Sequence, residues 1–271
     1  MQVQQQIAPA LAALLDKVID YAGLFPPAKL PLQTALQNYS IYSQSDYAFM
    51  LSRFVASQAE AQSIPSPRPP LSLLTDDSTT DLAQKAQAIE SNTVINQASS
   101  QPKPVYCEVQ LTDLTHLDAV KAAGNYAKVR TGGLKPEAIP SPEDVARFII
   151  ACADRSLAFK ATAGLHHPIR KEQALTYESD SPRAIMHGFI NVLMAAAFAY
   201  HGEKDLKVIA AIIDEREPSA FRFDHKAWWS DRCLTADQVK DARKHLVHSI
   251  GSCSFQEPVE DLQALGLLPL V

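Results

Sequence analysis

Residues 105–167 read VYCEVQLTDLTHLDAVKAAGNYAKVRTGGLKPEAIPSPEDVARFIIACADRSLAFKATAGLHH, and this stretch decides the fold. It holds three short apolar runs, 105–111, 126–130 and 157–162. The second is ended by Gly132 and Gly133, the third by Gly164. Helical patterns fill the gaps, at 115–123 and from Ser141 to about Asp154. Ser141 suits an N-cap, Pro142 the first helical position, and Glu143 and Asp144 the first turn, where the helix dipole favours acids. Strands alternating with helices at this spacing predict parallel β-strands joined by crossover helices.

The alternation extends both ways. Towards the N-terminus, strands are predicted at 18–25 (ended by Pro26 and Pro27), 47–56, 71–74 and 93–96, with helices at 32–43, 59–63 and 81–90. Towards the C-terminus, 247–252 is a strand and 258–265 its helix, stopped by Gly266. Eight strand candidates result, the number that closes a barrel. The expectation is one α/β domain over residues 1–271, a (β/α)8 TIM barrel with a long helical insertion between strands seven and eight. That connection, 165–246, should hold helices at 183–200, 206–213 and 235–246, with FRFDHKAWW between the last two, and part of it should form a cap.

Composition narrows the class. The chain has 271 residues, 46% hydrophobic and 20% charged, as in ordinary globular proteins. A net charge of −5 offers no basic footprint for nucleic acid or anionic membrane. No run approaches the ~20 apolar residues of a membrane span. The opening, MQVQQQIAPALAALLDKVIDY, lacks a basic start, and Asp16 and Lys17 break its apolar run; it reads as an amphipathic helix and not a signal peptide. Cys107, Cys152, Cys233 and Cys253 form no C-x-x-C pair and read as small, reduced residues of a cytoplasmic protein.

Charges inside apolar strands mark the candidate site. Glu108 lies in VYCEV, Lys128 and Arg130 in YAKVR, Lys160 in LAFKAT. Strand side chains alternate, so Lys128 and Arg130 share a face. A charge in a buried strand is costly unless paired or used. The plain alternative is an ion network filling the barrel. Lys128 and Lys160 sit one strand–helix unit apart, so their strands should be neighbours. Two close ammonium groups are expected to depress each other's pKa, and a lysine neutral near pH 7 attacks carbonyls to form a Schiff base. Glu108 could balance charge or move a proton. His166 and His167 offer acid–base or metal-ligand chemistry, or are surface and capping residues; adjacent strand positions point opposite ways. His187 could join them or be a packed core histidine. Cys253, in GSCSF, is a lesser candidate. Gly132, Gly133, Gly164, Gly251 and Ser252 end three strands and could cradle phosphate at the top of the barrel, or simply make tight turns.

The run from VYCEV through KVRTGG to AFKATAG resembles deoxyribose-phosphate aldolase across three consecutive strands. The resemblance places Lys128, in KVRTG with Thr131 and Gly132, at the Schiff-base lysine. It places Lys160, in KATAG, at the lysine that tunes it. IDYAGLFPPA is similar to the family's first-strand motif, with Asp20 matching an aspartate, and GSCS to its phosphate loop on the last strand. There are departures. Arg130 replaces a small hydroxyl residue, His166 and His167 replace the end of a phosphate motif, and the 165–246 connection is foreign to the family. The fourth predicted strand offers Asn96 and Gln97 and no acid to match the family's catalytic aspartate.

The leading expectation is therefore an aldolase-like lyase, needing no cofactor, that acts through a lysine Schiff base on a small phosphorylated or carboxylated carbonyl compound. Lys128 is the nucleophile, Lys160 its tuner, and Glu108 or His166 the proton carrier. Asp20, Arg130, Thr131, Gly132, Gly164, His167, Gly251 and Ser252 bind substrate. One alternative is a divalent-metal lyase or hydrolase using Glu108, His166 or His167, and His187. Another is a non-catalytic barrel that binds an anionic metabolite, favoured by the missing fourth-strand acid. A homo-oligomer is a further expectation, with Phe221, Phe223, Trp228 and Trp229 serving an interface or a cap.

Overall fold

The computed structural model describes residues 7–95 and 103–270. Eight parallel strands close into a barrel: β1 (Ile19–Tyr21), β2 (Leu51–Ser57), β3 (Leu71–Leu74), β4 (Ala88–Ser91), β5 (Val105–Glu108), β6 (Tyr126–Arg130), β7 (Phe159–Thr162) and β13 (Val247–Ser252). Each pairs with its neighbour along the chain, and β13 closes the ring between β7 and β1. With the intervening helices this is the expected (β/α)8 barrel.

The strands β5, β6 and β7 and helix α6 (Pro142–Asp154) lie close to where the sequence places them. The Ser141 hydroxyl caps α6 by accepting from the Asp144 amide. The first half differs. The first strand is confined to Ile19–Tyr21, and its predicted remainder is loop. A 3₁₀ turn, Ala48–Met50, precedes β2.

The largest difference falls on the fourth strand. Helix α4 spans only Asp81–Lys85, and β4 occupies Ala88–Ser91, its first three residues falling inside the predicted helix 81–90. Ala, Gln and Glu favour helix by propensity, but all four β4 residues are buried between β3 and β5. Barrel closure and burial override a weak local preference. Asn96 and Gln97 lie outside the described residues.

The connection from β7 to β13 is not helical throughout. It begins with a hairpin, β8 (Lys171–Ala174) against β9 (Arg183–Met186), so the predicted helix 183–200 starts only at Phe189. Helices α7 (Phe189–Tyr200) and α8 (Leu206–Asp214) follow. FRFDHKAWW folds into an antiparallel sheet of β10 (Phe221–Phe223), β11 (Lys226–Trp229) and β12 (Arg232–Thr235) before α9 (Ala236–His245). That sheet packs on α9 and on α1 (Pro9–Leu15), the helix leading into β1; the Ala10 amide donates to the Asp224 carbonyl at 3.1 Å. It therefore stands away from the strand C-termini and caps nothing there. Phe221 is buried, and Trp228 lies beside the Arg222 and Lys226 cations.

Helix α7 is buried from Phe189 to Ala199, packed among α6, α8, α9 and β13. Its apolar residues run all round it, as a fully buried helix requires. Asn191 is its polar exception. It donates to the Ile212 and Glu215 carbonyls and accepts from the Arg170 amide. Among the described residues, no helix is long and apolar enough to cross a membrane.

Candidate active site

The inward positions of β1, β4, β5, β6 and β7 carry charge, and the parallel register brings these charges together. Lys128 of β6 is the direct Cα partner of Lys160 on β7 and of Glu108 on β5. Lys160 is fully buried. Its ammonium donates to Asp20 Oδ2 at 2.7 Å and to Glu90 Oε1 at 2.5 Å. Asp20 also accepts from the Ser249 hydroxyl at 2.7 Å and the Arg53 amide at 3.1 Å, and its Oδ2 lies 3.3 Å from the Arg53 guanidinium. The Ser72 hydroxyl donates to Glu90 at 2.8 Å. Lys128 Nζ lies 3.2 Å from Glu108 Oε2 and 3.9 Å from Glu90 Oε2. Three cations (Arg53, Lys128, Lys160) thus interleave with three carboxylates (Asp20, Glu90, Glu108).

The electrostatics correct one expectation. Burial alone would push the Lys160 ammonium towards neutrality, but Asp20 and Glu90 outweigh it and raise its pKa. Lys160 is a firmly held cation and is not depressed by a second ammonium. Burial likewise works against the Asp20 carboxylate, yet Lys160, Arg53 and the Ser249 hydrogen bond hold its pKa down at about 2.

A cavity of about 250 Å³ opens above this cluster at the C-terminal ends of the strands. Glu90, Lys128 and Lys160 form its floor, and the exposed Arg130 stands at its edge. Thr162, Gly164, Gly251, His166 and Cys253 complete its polar lining. From the long connection, only residues near its start reach it, among them Leu175 and Met186 of the β8–β9 hairpin.

The other predicted residues are placed as follows. Asp20 lies beneath the cavity and reaches it through Lys160. Thr131 does not line the cavity; its hydroxyl donates to the Ala163 carbonyl at 2.8 Å and ties the loops after β6 and β7 together. Those loops meet at Gly132 and Gly164, where a methyl on Gly132 would come 3.1 Å from the Gly164 Cα and press on its backbone; Gly164 has φ +79°, which favours glycine. Ser252 turns to the Ser254 carbonyl at 2.7 Å. His166 is buried, 3.6 Å from Cys253 Sγ and 3.5 Å from Glu257. Burial, then the neighbouring His167, lowers its pKa to about 4. Burial raises the Cys253 thiol to about 11, so it is no thiolate at neutral pH. His167 faces Asp261 at 2.6 Å. His187 accepts from Arg170 and bonds the Pro140 carbonyl, both at 2.9 Å, as a satisfied core histidine.

These placements separate the ligands of the metal reading. Glu108 faces Lys128, His166 faces Cys253, His167 faces Asp261 and His187 faces Arg170. Among the described residues no group of three or more His, Cys, Asp or Glu is arranged to hold a metal ion.

Sequence reasoning missed Glu90, Arg53, Ser72 and Ser249. Glu90 was hidden by the helical reading of its segment. Arg53 carried the same signal as Lys128, a charge within an apolar strand, in MLSRFVAS. The two serines carry no signal of their own. With Glu90 on β4, the fourth strand does present a buried acid to the two lysines, which corrects the expectation that it lacks one.

No protein-family model matches the chain, and no curated protein or solved structure shows significant similarity to it. The likeness to deoxyribose-phosphate aldolase rests on the motifs themselves.

Proposed function

We propose that the chain is a lyase of the class I aldolase type, forming a Schiff base between Lys128 and a small anionic carbonyl compound. The observation that carries this reading is Lys128 on the cavity floor, paired strand to strand with the buried cation Lys160, and with Glu108 3.2 Å from its nitrogen. Glu108 takes the proton that Lys128 must lose to become a nucleophile. The amine adds to the carbonyl carbon, water leaves, and an iminium forms. A base then removes the proton from a β-hydroxyl. The carbon–carbon bond breaks, its electron pair flows to the iminium nitrogen, and an aldehyde departs. Protonation of the enamine and hydrolysis release the second product and restore Lys128.

Lys160, held cationic by Asp20 and Glu90, stabilises the oxyanion of the carbinolamine. Glu90, shared between the lysines, carries the proton for enamine protonation. Arg130 presents a planar fork to a carboxylate or phosphate. Glu90 on β4 supports the catalytic reading over a non-catalytic one, which a missing fourth-strand acid would favour.

Borohydride trapping with small aldehydes and oxo acids, read by intact mass and peptide mapping, tests this. The expected result is a reduced adduct on Lys128 that disappears in Lys128→Ala. A folded protein that gives no adduct with any of them would overturn the proposal.

A further inference from the structure

The barrel carries a second hollow at its other end. A groove of about 680 Å³ opens there, where the chain enters the strands. Its lining includes Ile7, Asp16 ahead of β1, Phe49 ahead of β2, and Lys240, Arg243 and Lys244 of α9, the helix that leads into β13. The volume lies within the ~300–1,000 Å³ of small-molecule sites. Positions 240, 243 and 244 share one face of a helix. Against these three cations the groove sets one acid, Asp16.

Arg243 is the telling member. It is only 9% exposed, and its partners are neutral main-chain carbonyls. Nη1 donates to Val247 at 3.1 Å, and Nη2 to Asp16 and His248, both at 2.9 Å. Nε has no hydrogen-bond partner among the described residues. Burial, which works against the cation, pulls its pKa down to about 10. A buried charge is costly unless paired, and a buried N–H without an acceptor adds to the cost. Lys160, the buried cation of the cavity floor, has two carboxylates on its nitrogen; Arg243 has carbonyls alone. Residues 1–6, MQVQQQ, which lead to Ile7, contain no acid that could serve.

We infer that this groove binds a small anion with an apolar body, a carboxylate or a phosphate ester. Arg243, Lys240 and Lys244 hold its acid group, and its body lies against Ile7 and Phe49. The site is separate from the Schiff-base cavity and stands whether or not that chemistry does. Arg243 ties the carbonyl ahead of β1 to those at the start of β13, so an anion on it also braces the seam where the barrel closes.

Thermal unfolding of the full chain with hexanoate, 3-phenylpropanoate and phenyl phosphate tests this, against the neutral hexanamide and 3-phenylpropanamide. At least one anion should raise the midpoint to saturation, the amides should not, and added salt should weaken the effect. Lys240 and Lys244 are exposed, so Lys240→Gln/Lys244→Gln should fold normally, yet half-saturation should need about 2- to 30-fold more of that anion, the range for two exposed ion pairs. Arg130→Ala, at the cavity edge, should leave the effect unchanged. Stabilisation by no anion, or by acids and amides alike, overturns the inference. So does an effect that the lysine pair does not touch; if Arg130→Ala removes it, the anion binds in the cavity instead.

Discussion

The floor of the cavity and helix α7 are both buried, but on opposite terms. Around Lys160 the chain buries interleaved cations and carboxylates in the barrel interior. Along α7 it buries every residue from Phe189 to Ala199, and the one polar side chain among them, Asn191, has three partners. Apolar packing is the ordinary way to fill such space. A buried ion network is no better for stability than well-packed apolar residues of equal volume. The difference teaches where to look for chemistry: at the place where the interior keeps charges that packing does not require. It also predicts different consequences for mutation, because damage to the floor should touch both stability and carbonyl capture, whereas damage to α7 should touch stability alone.

Lys128→Ala gives the sharpest break. Adduct formation should vanish, and the urea midpoint should fall as well, though less than on loss of Lys160, because Glu108 loses its cation while Glu90 keeps Lys160. Retained labelling elsewhere in the floor would move the nucleophile to another residue. Lys160→Met should cost about 3–5 kcal/mol by leaving Asp20 and Glu90 buried without their cation. It should also slow labelling of Lys128, and denaturant titration alongside trapping separates the two effects. On α7, Leu193→Ala should cost about 2–5 kcal/mol through the cavity it leaves, with labelling unchanged in the folded protein. Altered labelling there would erase the contrast between the two regions.

Acid should act on the floor and on the buried histidine that precedes α7. His187 is buried and neutral, its pKa lowered from 6.5 to about 4 by burial first and then by Arg170. The unfolded chain takes up its proton near pH 6.5 and the folded one only near pH 4. Its contribution is therefore intact above pH 6.5 and shrinks as pH falls to about 4, by about 3 kcal/mol. Urea midpoints across that range should fall less steeply in His187→Gln. Asp20 has the carboxylate sign: its share holds above pH 3.8 and is lost as pH falls towards about 2. The smallest effect expected is that of Ser249→Ala, about 2 kcal/mol, from the lost hydrogen bond to a buried carboxylate. A stability loss without any shift of acid unfolding to higher pH would count against Ser249 as a support of Asp20.

Legibility followed burial and pattern. The β5–β7 stretch was readable because its strands are short apolar runs ended by glycine or turn residues and its α6 helix has a capped start. Lys128, Lys160, Glu108 and Arg130 were readable because each interrupts an apolar strand. Glu90 was not. AQKAQAIES has helical composition, and only pairing of Ala88–Ser91 between β3 and β5 makes it a strand and turns its acid inward. The histidines were ambiguous because nothing local decides whether an imidazole meets a cavity, a carboxylate or a carbonyl.

By itself, then, the sequence determined the alternation of strands and helices, the closed barrel and the charged character of its later strands, since these depend on periodicity and on residues a short distance apart. The tertiary structure alone decided which charges meet. Asp20 reaches Lys160, Ser249 reaches Asp20, and Glu90 stands between two lysines only because closing the barrel brings β1 beside β13 and directs β4 towards β6 and β7 across the interior. Those contacts join residues far apart in the chain, and the burial that gives them their strength exists only once the ring is shut.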